Sequence, residues 1–243
     1  MKSGYDAIAR AYCRYWGPFS VRRFLPVLEQ LLLPRLPEEA HILDLGCGTG
    51  NLARVLWEKG YHVTGVDISL EMVREARNLA PDVEFLHQDM RTFKRENTFH
   101  ATIALFATLN HLLKTEDLWQ VLNNVKSSLI NGGWFVFDFN TTVGLQKRWQ
   151  GTEAVVEKDM VIISQGSYDN KTEIAETIIT YFRAVGTTGI RWLRNDTVIK
   201  LRGYDQNDIR EMLEAAGFDQ IILYKTTGKI GQGREFAICR KPD

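Results

Sequence analysis

The stretch that decides the fold is His41-Ile42-Leu43-Asp44-Leu45-Gly46-Cys47-Gly48-Thr49-Gly50-Asn51, read with Tyr61-His62-Val63-Thr64-Gly65-Val66-Asp67. The first run is short, apolar and ended by glycines, which is a buried strand meeting a tight turn. Residues 51–59 then place apolar side chains at helical spacing and stop at Gly60. The second run is another strand, ended by an acid. Working outward, residues 70–79 read as a helix with Ser69 as N-cap and Glu71 in the first turn. Strands follow over 83–88 and 100–106. A helix over 116–129 closes at Asn131-Gly132-Gly133, and a strand covers 134–139. This rhythm predicts a mainly parallel sheet with helices on both faces.

Beyond Asn140 the period changes. Residues 155–168, 172–185 and 189–201 are β-rich and partly alternating, and they predict an antiparallel meander inserted at 150–201. The helical pattern returns at 205–216. Strands at 220–225 and 235–240 then flank a glycine-rich hairpin at Gly228–Gly233. Residues 1–37 read as a helical cover over one end of the sheet, and 38–140 with 202–243 as the core of a single domain.

The glycine loop allows backbone to approach a ligand closely where a strand turns into a helix. Asp67 stands 21 positions after Gly46 at the next strand end, the place for a ribose diol. A dinucleotide fingerprint would put its third glycine at position 51, which is Asn51. Asp44, two residues before the loop, is awkward beside an anionic pyrophosphate. It suits S-adenosylmethionine, whose sulfonium and ammonium are cationic.

These residues resemble the class I S-adenosylmethionine-dependent methyltransferases over nearly the whole chain. LDLGCGTG is similar to the family's first motif and VTGVDIS to its second. The resemblance implies a Rossmann-like seven-stranded sheet with its last strand antiparallel. It implies S-adenosylmethionine as cofactor and S-adenosylhomocysteine as product. Asp44, Gly46, Cys47 and Gly48 would line the methionine portion, with Asn51 and Leu105 beside them. Asp67 would hold both ribose hydroxyls and Ile68 would pack on adenine. Gln88, Asp89 and Met90 resemble the adenine-edge segment, with Asp89 accepting from the exocyclic amine. Met72 is open between a helix core residue and an adenine wall.

The N-terminal aromatics and the inserted meander resemble a subgroup that includes glycine N-methyltransferase and amino-sugar N,N-dimethyltransferases. There the likeness gives Tyr12 and Tyr15 the role of covering the cofactor and Arg22 that of meeting its carboxylate. Arg23 competes, as does a solvated basic helix face. His111 is a candidate base or substrate hydrogen-bonder, or a structural helix-start residue. Asn110, Asp138 and Asn140 are candidate acceptor contacts. The segment after the fourth strand lacks the Asn/Asp-Pro-Pro-aromatic motif of base and glutamine methylases and the Pro-Cys of cytosine-ring enzymes.

Composition narrows the partners. The 243 residues carry 30 Lys+Arg and 30 Asp+Glu, which argues against a duplex-DNA binder. Three dispersed cysteines and five dispersed histidines form neither a disulfide framework nor a metal pattern. The stretch 24–36 is broken by prolines and charges, so no membrane span is expected, and no export signal is legible. A cytoplasmic enzyme acting on a small-molecule acceptor, with amine favoured over hydroxyl, is the expectation, and a homodimer is allowed. The alternatives are an O-methyltransferase, a modified-tRNA-base methyltransferase, or a cofactor-binding regulatory protein without turnover.

Overall fold

The computed structural model describes residues 3–186, 191–226 and 233–243. The chain opens with a 3₁₀ turn (Asp6–Ile8), α1 (Ala9–Arg14), α2 (Trp16–Leu31) and a second 3₁₀ turn (Leu33–Arg35). The core then alternates: β1 (His41–Leu45), α3 (Asn51–Glu58), β2 (His62–Asp67), α4 (Leu70–Leu79), β3 (Glu84–His87) and β4 (Phe99–Ala104). A 3₁₀ turn (Thr108–His111), α5 (Thr115–Ser128), β5 (Leu129–Asn140) and α6 (Thr142–Arg148) follow. Four strands come next: β6 (Gly151–Val156), β7 (Met160–Asp169), β8 (Ile174–Val185) and β9 (Arg191–Arg202). The chain ends in α7 (Gln206–Ala215), β10 (Asp219–Lys225) and β11 (Arg234–Arg240).

The large sheet has seven strands in the order β10-β11-β5-β4-β1-β2-β3. β11 runs antiparallel to both β5 and β10, and the pairings among β5, β4, β1, β2 and β3 are parallel. Strand order reverses beside β1, so the crevice opens at the carboxyl ends of β1, β2 and β4. The predicted Rossmann-like sheet, including its antiparallel last strand, is the observed one.

Two apolar layers sandwich the sheet. One packs Leu43, Leu45, Phe135, Phe137 and Phe139 against α5 and α7. The other packs Ile42, Ile103 and Ile238 against α3, α4 and α2. Phe24, Leu28 and Leu32 are fully buried in that layer, which anchors the cover at roughly 1.5–3 kcal/mol per side chain.

The insertion is a separate antiparallel sheet, β6-β7-β8-β9, and it has four strands where the sequence pattern predicts three. The single strand expected over 155–168 is broken at Glu157-Lys158-Asp159, where the Glu157 amide donates to the Met160 carbonyl (2.8 Å). Arg14 pairs with both Glu157 and Asp159, so the charged run forms a turn fastened to α1. Helix α6 was not expected; Thr141 caps it by accepting from the Gly144 amide (3.0 Å). A third apolar cluster joins Ile8 and Ala11 to Ile162, Ile179, Ile199 and Leu201, so the N-terminal segment is packed against the inserted sheet. The expected hairpin over 228–233, apart from Gly233, lies outside the described residues, as does the expected strand start at Gly189.

Candidate active site

The loop after β1 is shaped by glycines. Gly46, Gly48 and Gly50 all have positive φ (74°, 53° and 73°). A Cβ on Gly46 would stand 2.4 Å from Thr108 Cγ2, and one on Gly48 3.4 Å from the Tyr12 ring. The loop therefore presents bare backbone to the crevice with the cover directly above it.

Asp44 points into this space and is 4% exposed. Among the described residues no hydrogen-bond donor meets its carboxylate, and burial, reinforced by the charge of Asp67, pushes its pKa up to about 7. A buried carboxylate without a donor calls for a cationic partner. Asp67 is held differently: it accepts from the amides of Gly48 (2.9 Å) and Ser69 (2.8 Å). Burial raises its pKa while those two amides pull it back. One oxygen is steered by each amide, so the carboxylate is held side-on to the crevice, the geometry for two vicinal hydroxyls.

Two cavities border the loop and a third lies beyond them. One of about 530 Å³ is bounded by Gly46, Gly48, Asp67, Ile68, Met72, Asp89, Met90 and Leu105, with Tyr5, Tyr12 and His111 at its inner end. A small one of about 30 Å³ is bounded by Asp44, Cys47, Asn51 and Ser20. A third, of about 520 Å³, lies between the large sheet's crevice and the inserted sheet. Tyr12 and Phe106 line all three. Tyr5 and His111 border both large cavities.

That shared wall is tightly organised. The Tyr5 hydroxyl and His111 Nε2 are 3.1 Å apart, and the two rings meet edge-to-face. Burial pushes the His111 pKa down to about 4, against an opposing hydrogen bond to the Lys200 backbone. The imidazole is therefore neutral at pH 7. Phe106 and Ala107 both adopt positive φ (68° and 62°), uncommon for side-chain-bearing residues and costly. The buried Asp138 carboxylate restrains the pair by accepting from the Ala107 amide (3.0 Å), with a further hydrogen bond from the Phe106 backbone.

Several sequence candidates sit elsewhere. Arg22 faces solvent on α2 and borders none of the three cavities. Its neighbour Arg23 is the one turned inward, close enough to sense Arg234 and Asp138 electrostatically. Tyr15 is exposed and packs edge-on against Trp16. Gln88 is half-buried, and its side-chain amide donates to the Thr92 carbonyl (3.3 Å). Asp89 lies at the cavity but is already gripped by Arg91 through Nη2 (2.6 Å) and Nε. Burial pushes the Asp89 pKa up, and the Arg91 bonds outweigh it and hold the group below its ordinary range. Arg91 also reaches Asp117 (3.3 Å).

The three candidate acceptor contacts are internal ties. Asn110 is fully buried; it donates to the carbonyls of Asn140 (3.0 Å) and Arg202 (2.6 Å) and accepts from the Asn140 amide (2.8 Å). It joins the end of β5 to the end of β9. Asp138 holds the 106–107 loop, and Asn140 Oδ1 accepts from Arg148. The residues that do line the third cavity, Arg148, Trp149 and Arg234 among them, carry no local motif. They converge because β11 pairs with β5, placing Arg234 opposite Asn140, and because α6 follows β5 directly.

Among the described residues no three His, Cys, Asp or Glu side chains are grouped to hold a metal, and no helix is long and apolar enough to cross a membrane.

A doubly wound sheet, a glycine loop with an unpaired acid behind it, and a second acid held for a diol together define an enzyme-type site for a cationic nucleoside cofactor. Residues 42–133 match the methyltransferase domain family. The Bacillus subtilis protein named "Putative methyltransferase YqeM" is 30% identical over 188 residues, covering 75% of each chain. The Streptomyces venezuelae dTDP-3-amino-3,4,6-trideoxy-alpha-D-glucopyranose N,N-dimethyltransferase is 29% identical over 210 residues, covering 85% of this chain and 86% of that one. The crystal structure of Streptomyces venezuelae DesVI superposes with a TM-score of 0.76 at 20% identity, covering 95% and 96% of the two chains. The chain belongs to the class I S-adenosylmethionine-dependent methyltransferases, and S-adenosylmethionine is its cofactor.

Proposed function

We propose that the protein methylates an amine nitrogen of a small molecule bound in the cavity between the two sheets. The observation that carries this is the shared wall: Tyr5, Tyr12, Phe106 and His111 separate a cofactor-sized cavity from a second one of nearly equal size.

Bound S-adenosylmethionine supplies a methyl group already activated by the sulfonium charge. The chain's part is to hold and align. Asp44 receives the cofactor's ammonium, Asp67 its ribose hydroxyls, and Ile68 and Met72 flank the base. Tyr5, Tyr12 and Phe106 keep water from the junction, so catalysis is largely proximity and orientation. His111, neutral and donating to the Lys200 backbone, accepts from the Tyr5 hydroxyl at Nε2, which leaves the Tyr5 oxygen to accept from an amine N–H and orient the amine's lone pair. With a pKa near 4 His111 is a weak base, which fits an amine better than a hydroxyl that must be deprotonated. The amino-sugar N,N-dimethyltransferase relative supports the same acceptor chemistry.

The test is S-adenosylhomocysteine formation across separate panels of amines (amino sugars free and nucleotide-linked, amino acids), hydroxyl compounds and RNA. Turnover with amines is expected. Turnover confined to hydroxyl compounds or RNA overturns the amine assignment, and cofactor binding with no turnover on any panel overturns the enzymatic one.

A further inference from the structure

The inter-sheet cavity holds more positive charge than its apolar lining would suggest. Arg148 and Arg234 both border it. Arg234 is 7% exposed, and its guanidinium lies over the rings of Phe106 and Phe24. Its Nη1 is 3.1 Å from Asp138 Oδ2, an ion pair without hydrogen-bond alignment. Nε and Nη1 are buried with no hydrogen-bond partner among the described residues. Arg148 donates to Asn140 Oδ1 and the Gly144 carbonyl, and no carboxylate lies within ion-pair distance of it among the described residues. Arg23 adds its charge to both. Asp138, the carboxylate among these groups, is committed to the 106–107 amides as well.

A buried guanidinium with unmet donors is costly. Its planar fork suits the oxygens of a carboxylate or phosphoryl group. We propose that the methyl acceptor carries such an oxyanion, seated between Arg148 and Arg234 in the inter-sheet cavity. This rests on that cavity being the acceptor site. Burial, and after it the repulsion of Arg234 and Arg23, lowers the Arg148 pKa to about 10, as expected of a cationic site that an anion would complete. The rest of the lining mixes aromatic and aliphatic side chains, Trp16, Trp149, Ile179 and Leu201 among them, with Ser164, Thr177 and the carboxylate of Glu153, so the body that carries the oxyanion would be part apolar and part hydrogen-bonding.

The experiment titrates the full-length protein with benzoate, phenyl phosphate and neutral benzamide by calorimetry, with and without S-adenosylhomocysteine. At least one anion should bind roughly tenfold more tightly than benzamide, and added salt should weaken it. Arg148→Gln, which keeps a donor for Asn140, should cost roughly tenfold in anion affinity and leave benzamide unchanged. Arg234→Lys serves as a second variant in case the first is unfolded, and is expected to lose the same preference. Benzoate and phenyl phosphate then tell a carboxylate site from a phosphoryl site. Equal affinity for benzamide and both anions, or anion affinity unmoved by both variants, overturns the proposal. S-Adenosylhomocysteine binding is read in its own titration, so loss of cofactor binding counts against the methyltransferase reading alone.

Discussion

At the residue scale, Asp44 and Asp67 show how neighbouring carboxylates can be given different tasks. Asp67 is steered by two amides; among the described residues no donor meets Asp44. Ionisation of Asp44 then opposes folding. The unfolded group ionises near 3.8 and the folded one near 7, so stability falls as pH rises through that window. A bound ammonium reverses the preference and favours the carboxylate. S-Adenosylmethionine affinity should therefore rise about tenfold per unit as pH increases towards 7, with close to one proton released. Calorimetry in buffers of different ionisation heat measures this directly, and Asp44→Asn should flatten the acid limb. A parent affinity independent of pH, or parallel slopes in parent and variant, would remove Asp44 from the ammonium site. Both acids were legible in the sequence because the loop and its two strands are local. Arg22 was legible only as a basic residue. Helical phase does little to separate it from Arg23: at 3.6 residues per turn the two lie about 140° and about 120° from the buried stripe marked by Gly17, Phe24 and Leu28, on opposite flanks of α2, and only the tertiary neighbours Arg234 and Asp138 pick out Arg23.

At the element scale, the N-terminal cover is fastened at one point beside the cofactor loop. Asp6 Oδ1 accepts from the Ser69 hydroxyl (2.6 Å), and Ser69 in turn caps α4 by accepting from the Met72 amide (3.2 Å). The other Asp6 oxygen accepts from the Ser3 amide (3.0 Å). This staple sets Tyr5 and Tyr12 over the loop, and its loss should free the cover more than it harms the fold. Asp6→Ala is expected to speed S-adenosylhomocysteine release about tenfold, in line with roughly 1.5–3 kcal/mol for a charge-assisted hydrogen bond. Asp6→Asn, which keeps an acceptor, should lie between. Stopped-flow release rates check this, and identical rates in all three proteins would mean the staple does not set the cover. The sequence shows Ser69 as a cap because capping is local; the bond from Asp6 spans a tertiary contact with no periodic signal. Asn110, Asp138 and Asn140 illustrate the same limit. Both faces of β5 are buried, so alternation in Trp134–Asn140 cannot say whether a polar side chain meets ligand or backbone.

At the scale of the whole molecule, cover, core and inserted sheet all contribute walls to the two large cavities. Thr197 of β9 donates to the Gly4 carbonyl (2.7 Å), and Val198, Ile199 and Lys200 border the cofactor cavity beside Ser3 and Gly4. The insertion was legible as β-rich, but not as a wall of the cofactor site, because that contact is made through the first residues of the chain. Cofactor binding should therefore act beyond the glycine loop. Hydrogen exchange with and without S-adenosylhomocysteine should show added protection at residues 44–50, 67–72 and 87–91. It should also show it at residues 4–12 and 197–201, which the loop does not touch in sequence. Ligand at about a hundred times its dissociation constant stabilises the bound state by about 2.7 kcal/mol. Segments that open only when the site opens should thus exchange up to roughly a hundredfold more slowly. Protection confined to the loop and the adenine-edge segment would mean that the cover and β9 open independently of the ligand. Protection of 197–201 that disappears in Asp6→Ala, while 44–50 keeps its own, would show that the inserted sheet senses the cofactor through the cover.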